Sequence, residues 1–197
     1  AAGVFALDSR KTVTLDIDGN PVSVITMKSR VGDIVAENGL TLSERDEVRP
    51  AAGQNVRDAE TIVVRRSRPL EISLDGQAPK QVWTTAATVD EALAQLSMTD
   101  TAPAAASRGS RLPLAGMALP VVSAKTVQIN DGGAVSTVRL AAPDVGALLA
   151  AAGAPLQQRD GVVPAASAPV VDGMHILVTR MRIEKVTERV PLAPAVR

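Results

Sequence analysis

The stretch Val13-Thr14-Leu15-Asp16-Ile17-Asp18-Gly19 alternates apolar and polar residues and ends in a tight-turn dipeptide, the local pattern of a β-hairpin. It returns as Leu70-Glu71-Ile72-Ser73-Leu74-Asp75-Gly76, and again as Val127-Gln128-Ile129 running into Asp131-Gly132-Gly133. The steps from Val13 to Leu70 and from Leu70 to Val127 are both 57 residues. Glycine suits these turns because it tolerates the positive φ they require. A second strand follows each time, around Val22 to Met27, Lys80 to Thr84 and Val135 to Leu140.

A short helix comes next in every copy. Val31, Ile34 and Val35 match Val89, Ala92 and Leu93, then Val145, Leu148 and Leu149, each set forming one apolar stripe at i, i+3, i+4. The steps here are 58 and 56, so the turns before the helices differ by a residue. Thr88 with Glu91 reads as a capping box, and Asp144 is placed to cap the third helix. Gly39 and Gly153 stand where left-handed C-terminal caps are expected. A polar, irregular loop then leads to a last strand at Thr61–Arg65, Leu119–Val122 and Ile176–Thr179, with Ile62, Leu119 and Ile176 again 57 apart. The fixed period means a repeated structural unit.

Each unit reads strand, turn, strand, helix, loop, strand. This is the β-grasp, or ubiquitin-like, arrangement, in which the helix covers one face of the sheet and the other face is solvated or meets a neighbour. The fold class is therefore α+β: three tandem ubiquitin-like repeats over 11–67, 68–124 and 125–181. Linkers are nearly absent. Arg65-Arg66-Ser67-Arg68-Pro69 carries one repeat into the next, as does Val121 to Thr126, so the sequence predicts an elongated array with set orientations. The Ala/Pro/Ser-rich stretch from Thr101 to Pro113 reads as an insertion-like, mobile loop in repeat two.

Composition narrows the function. The 197 residues are 46% apolar and 21% charged, with 21 basic and 21 acidic side chains, which gives no electrostatic drive toward nucleic acid. Phe5 and Trp83 are the only aromatics, so stacked sugar subsites and base platforms are largely excluded. Without cysteine there is no thiol chemistry and no disulfide. No stretch approaches a membrane span. The apolar Ala1–Leu7 is either the end of a longer apolar segment or a simple frayed terminus.

Catalytic sets are poor. The carboxyl pairs Asp46 and Glu47, Glu37 and Glu44, and Asp58 and Glu60 lie in charge-mixed segments without an aromatic neighbour, unlike a glycosidase cleft. His175 is the single histidine and rules out a multi-histidine metal site. The Asp-Gly turns lack the spaced acids of calcium loops and the Lys-Ser/Thr of phosphate loops. No cofactor is expected.

The partner-binding candidates are Arg65, Arg66 and Arg68, with Arg180 and Arg182 at the matching end of repeat three, because guanidinium groups fork carboxylates and phosphates. Strand-edge arginines that discourage aggregation are the plainer reading. Trp83 reads as a core or interface anchor, with a ligand platform as the alternative.

The residues also carry a family resemblance. Lys11-Thr12-Val13-Thr14-Leu15, Thr26-Met27-Lys28-Ser29-Arg30-Val31, Gln81-Val82-Trp83-Thr84-Thr85, Val89-Asp90-Glu91-Ala92-Leu93-Ala94-Gln95-Leu96 and Ala118 to Val127 resemble the tandem domains of unknown function in the N-terminal half of mycobacterial resuscitation-promoting factors of the B type. Arg182 to Leu192 resembles the first strand of the G5 module that follows there. The resemblance implies that 1–10 is membrane-proximal and that 182–197 begins a truncated G5 domain. It also implies an extracytoplasmic protein, secreted or anchored by a segment outside this chain, whose lysozyme-like hydrolase domain lies elsewhere. Family catalytic residues have no position here. The expected role is a non-catalytic spacer and envelope-adhesion region, or alternatively a dedicated binding module acting through exposed sheet edges. The implied partners are peptidoglycan or other envelope polymers and partner cell-wall hydrolases, with no nucleic acid.

Overall fold

The structure is a computed structural model and describes residues 10–181; the expected N-terminal segment, apart from Arg10, and the G5-like tail lie outside the described residues. Repeat one contains β1 (Lys11–Ile17), β2 (Asn20–Thr26), α1 (Val31–Glu37), β3 (Glu47–Arg49) and β4 (Thr61–Arg65). Repeat two contains β5 (Arg68–Leu74), β6 (Lys80–Thr84), α2 (Val89–Gln95), β7 (Thr101–Pro103) and β8 (Met117–Ser123). Repeat three contains β9 (Lys125–Asp131), β10 (Ala134–Leu140), α3 (Val145–Ala151), β11 (Gly161–Val163) and β12 (His175–Thr179).

Each repeat closes its own four-stranded mixed sheet. The order is β2-β1-β4-β3 in the first, β6-β5-β8-β7 in the second and β10-β9-β12-β11 in the third. The first strand pairs antiparallel with the second and parallel with the last, as Leu15 opposite Val22 and Ile62 illustrates. The α+β ubiquitin-like reading holds.

The hairpins form because their turns accept left-handed backbone. Asp18 and Gly19 have φ of 51° and 85°, Asp75 and Gly76 have 50° and 74°, and Gly132 and Gly133 have 57° and 98°. Pairing runs to the turn itself in repeats one and three, at Ile17 opposite Asn20 and Asp131 opposite Ala134. In repeat two it stops at Ile72 opposite Lys80. The residue by which the period varies therefore sits in the β5–β6 turn.

Helices this short are marginal alone and are held by packing. Val31, Ile34, Val35, Val89, Ala92, Leu93, Val145, Leu148 and Leu149 are all fully buried, as the stripe predicts. In repeat one they pack on Val13, Leu15, Ile62 and Val64, and in repeat two on Leu70, Ile72, Leu119 and Val121. These two cores do not merge. Thr88 Oγ1 accepts the Glu91 N–H and Asp144 accepts the Ala147 N–H, so both expected caps form. The Glu91 carboxylate accepts from the Ala87 N–H, one residue short of the standard capping-box partner. Gly39 and Gly153 take φ of 80° and 81°, as expected of their cap positions.

Two expectations are corrected. The loop between helix and last strand is not wholly irregular: β3, β7 and β11 pair antiparallel with β4, β8 and β12 inside it. Nor is Thr101–Pro113 an insertion. The connection 96–116 is no longer than 38–60 or 152–174, and Leu112 within it is buried in the core. Its backbone has a set task. The Val89 and Asp90 N–H groups donate to Ser110 and Arg108 carbonyls, as Val31 and Gly32 do to Gln54 and Ala52, and Val145 and Gly146 do to Ala168 and Ala166. Orphan donors at each helix start are thereby satisfied by the returning loop.

Repeats one and two belong to one compact unit, and the third repeat (125–140 with 144 onward) forms a second.

Candidate functional site

The hairpin turn of every repeat carries an aspartate that holds the far end of the last strand. Asp18 accepts from the Arg66 N–H at 2.9 Å and Arg66 Nε at 2.8 Å. Asp75 accepts from the Ser123 N–H at 2.9 Å and its hydroxyl at 2.7 Å. Asp131 accepts from Arg180 Nε at 2.7 Å and Nη2 at 2.6 Å. Arg66, Ser123 and Arg180 are spaced by the 57-residue period, so one backbone geometry is closed by two different chemistries.

Two of the candidate arginines meet at the passage from repeat one to repeat two. Arg68 is 4% exposed; its Nη1 donates to the Leu112 carbonyl at 2.5 Å and its Nη2 to the Arg66 carbonyl at 3.3 Å. Nη2 also lies 3.2 Å from Asp18, while Nε is buried without a partner. Arg68 thus ties its own repeat to the preceding one. Asp46 steadies the junction from the repeat-one side by accepting the Ser67 N–H at 2.8 Å. Burial pushes the Asp46 carboxyl up, but the Ser43 and Ser67 donors outweigh it and hold it below the usual carboxylate range.

Trp83 lies on the edge strand β6, opposite Pro69, and is 46% exposed. The Arg45 guanidinium of repeat one stacks over its ring at 4.7 Å from the centroid. The interface-anchor reading fits this contact between repeats. Arg65, at the end of β4, makes no hydrogen bond or ion pair among the described residues. It lines a shallow hollow with Glu47, Arg49 and Val63 on the sheet face away from α1. Arg49 and Glu47 are paired with each other.

Arg180 is engaged inward as well. Beyond Asp131 it reaches Asp160 at 2.6 Å and the Ala154 and Pro155 carbonyls. Hydrogen bonds from Arg180 hold the Asp131 carboxyl low, and those from the Gln157 N–H and Arg180 do the same for Asp160. The two carboxylates in turn raise Arg180 further into its charged form. Arg182 lies outside the described residues. Of the sequence candidates, then, Arg66, Arg68 and Arg180 hold strand ends together, while Arg65 and Trp83 face outward. Arg45 and Asp160 escape sequence reasoning and Asp46 enters it only as a member of a carboxyl pair; the only signal for their roles is charge complementarity at strand ends far apart in the chain.

His175 is exposed at the first position of β12. Asp58 and Glu60 line an open hollow of about 770 Å³ with Arg57, but each is spent on backbone: Asp58 accepts the Thr12 N–H at 2.7 Å and Glu60 the Arg57 N–H, while Glu37 accepts the Thr26 hydroxyl. Among the described residues no cluster of three or more metal-ligating side chains occurs, and no helix is long and apolar enough to cross a membrane.

This geometry coincides with a known family. The G5-linked-Ubiquitin-like domain profile (DUF348) matches at 13–53, 70–99 and 127–167, once in each repeat, and the chain belongs to that family. Among curated proteins it is 74% identical over 193 residues to resuscitation-promoting factor RpfB of Mycolicibacterium smegmatis, covering 98% of this chain and 53% of that protein. It is 32% identical over 144 residues to resuscitation-promoting factor Rpf2 of Corynebacterium glutamicum, covering 73% of this chain and 38% of that protein. The chain spans about half the length, or less, of these relatives.

Proposed function

We propose that this chain is a non-catalytic spacer and envelope-adhesion region of a resuscitation-promoting factor. It sets a peptidoglycan hydrolase, carried on a part of the protein outside this chain, at a distance from the membrane. The setting is extracytoplasmic, and the parent protein acts in wall remodelling and regrowth of dormant cells. The observation that carries the reading is the Arg68 tie: repeats one and two keep separate cores, yet a buried guanidinium fastens them across the two residues between β4 and β5. Such a junction suits reach with a set orientation better than a Gly/Ser tether would. Small-angle scattering tests it. A compact globule of this length has a radius of gyration near ~16 Å. A value well above that supports the spacer, and a value at it overturns the reading.

The second reading is a dedicated binding module for wall polymer or for a partner hydrolase, and outward-facing Arg65 and Trp83 favour it. Sedimentation with purified peptidoglycan separates the two, since an inert spacer stays in the supernatant. Under either reading this chain alone clears no band in a muralytic zymogram.

A further inference from the structure

Repeat two differs from its neighbours in its hairpin. Its Asp75-Gly76 turn closes through the Gln77 N–H on the Leu74 carbonyl, but the β5–β6 ladder resumes only at Ile72 opposite Lys80 and leaves Gln77 to Pro79 outside β6, whereas the other two hairpins pair down to their two-residue turns. Gln77 and Ala78 of this unpaired segment line a pocket of about 250 Å³. Its floor is Ile72, and Leu74, Val82, Leu96 and Met98 form the walls. These walls are only partly buried, packed on the core on one side and open to the pocket on the other.

Lys80 stands at the rim, on the helix-bearing side of the sheet, and makes no ion pair among the described residues. The corresponding positions are Val22, opposite Leu15, and Ser136, opposite Ile129. Only repeat two of the three places a cation beside this pocket.

From this pairing of apolar walls with one unpartnered ammonium, we infer that repeat two binds a single short hydrocarbon chain bearing a singly charged anionic head, of the class of a medium-chain carboxylate. The space suits the ligand: a dry apolar cavity of about 150 Å³ already takes benzene, and this one lies just below the range of drug-sized sites, about 300–1,000 Å³. The chain lies along Leu74, Val82, Leu96 and Met98, and the head meets Lys80 at the mouth.

Sodium octanoate, added to the whole 197-residue chain with methionine methyls labelled for NMR, tests the assignment. Octanoate is expected to shift the Met98 methyl saturably. Hexanoate should bind about tenfold more weakly, because each buried methylene contributes about a factor of three to four. Octanol should bind several-fold more weakly than octanoate, and octylammonium more weakly still. K80E should lower octanoate affinity at least tenfold and raise that of octylammonium, with Met117 unchanged as evidence that repeat two is folded. The proposal is overturned if Met98 shows no saturable shift, or if head-group charge and K80E make no difference. It is equally overturned if exposed Met27 and Met181 shift alongside Met98, which is surfactant adsorption. None of these outcomes bears on the radius of gyration, so the spacer reading stands or falls separately.

Discussion

Repeats one and two close the start of their first strands by opposite means. In repeat one the Thr12 N–H donates to Asp58 at 2.7 Å, and Ala59, at a φ of 61°, returns its N–H to the Thr12 carbonyl. In repeat two the matching residues are Pro69, which has no N–H, and Ala115, which has no carboxylate. Gly116, at a φ of 85°, instead sits so close to the Pro69 carbonyl that a Cβ there would lie 2.2 Å from its oxygen. Donor and acceptor vanish together, so neither is left unpaired, and close backbone contact replaces the polar tie. Repeat three keeps the first arrangement, with the Thr126 N–H on Asp172 and Gly173 on the Thr126 carbonyl. One backbone path thus tolerates two side-chain solutions, provided both members change together.

The strand-start cation makes the same comparison on a larger scale. Lys11 donates to Ser29 and to the Val56 carbonyl, both in its own repeat, whereas Arg68 reaches its own Leu112 carbonyl and also Asp18 of the repeat before. R68A should therefore cost about 3 kcal/mol or more, since it strips a buried carboxylate of one partner. Denaturant unfolding followed at Trp83 would read this loss. R68M should cost less, and R68K should keep the Leu112 bond while loosening repeat one from repeat two. If R68A is silent, Arg68 is not what joins them.

Position 116 against position 59 supplies the next contrast. G116A should destabilise by about 2 kcal/mol through overpacking against Pro69. A59G should stabilise by about 1 kcal/mol by relieving a left-handed alanine. Thermal melts giving both changes the same sign would break the comparison.

Acid tests the arginine closure of repeat three. Asp131 and Asp160 are held low in the folded state, so their contribution is present above the ordinary carboxylate range, about pH 4, and is lost as pH falls below it. Repeat three should lose protection on acidification through that window, and D131N/D160N should flatten the dependence while lowering stability at neutral pH. Amide signals of β9 followed from pH 6 to 2 would show whether it does. The smallest effect is expected at the Arg45–Trp83 stack, where R45A should cost under about 1 kcal/mol and change Trp83 fluorescence.

Much of this architecture was legible because the period repeats what a single copy leaves ambiguous. The alternation at Val13–Ile17, the Asp-Gly turns and the Val31, Ile34, Val35 stripe carry their own geometry in residue type. The three-residue strands were not legible, since Glu47–Arg49 or Gly161–Val163 is too short to alternate and is defined by the partner backbone. Thr101–Pro113 misleads for a related reason. Its small residues look like filler, while its task of receiving the α2 N–H groups is performed by carbonyls that every residue possesses. The arginines stood out as a cluster, but Asp18 and Arg66 lie 48 residues apart and nothing local joins them.

The carbonyls that meet the helix starts carry a further consequence for how a repeat comes apart. Amides in the first turn of a helix normally exchange with solvent as fast as a frayed end allows, yet those of Val31, Val89 and Val145 are bonded to a segment from much later in the chain. They can open only when that later segment lets go. In deuterium oxide they should therefore exchange with the sheet amides of the same repeat, which makes each repeat a single cooperative unit with no helix that melts first.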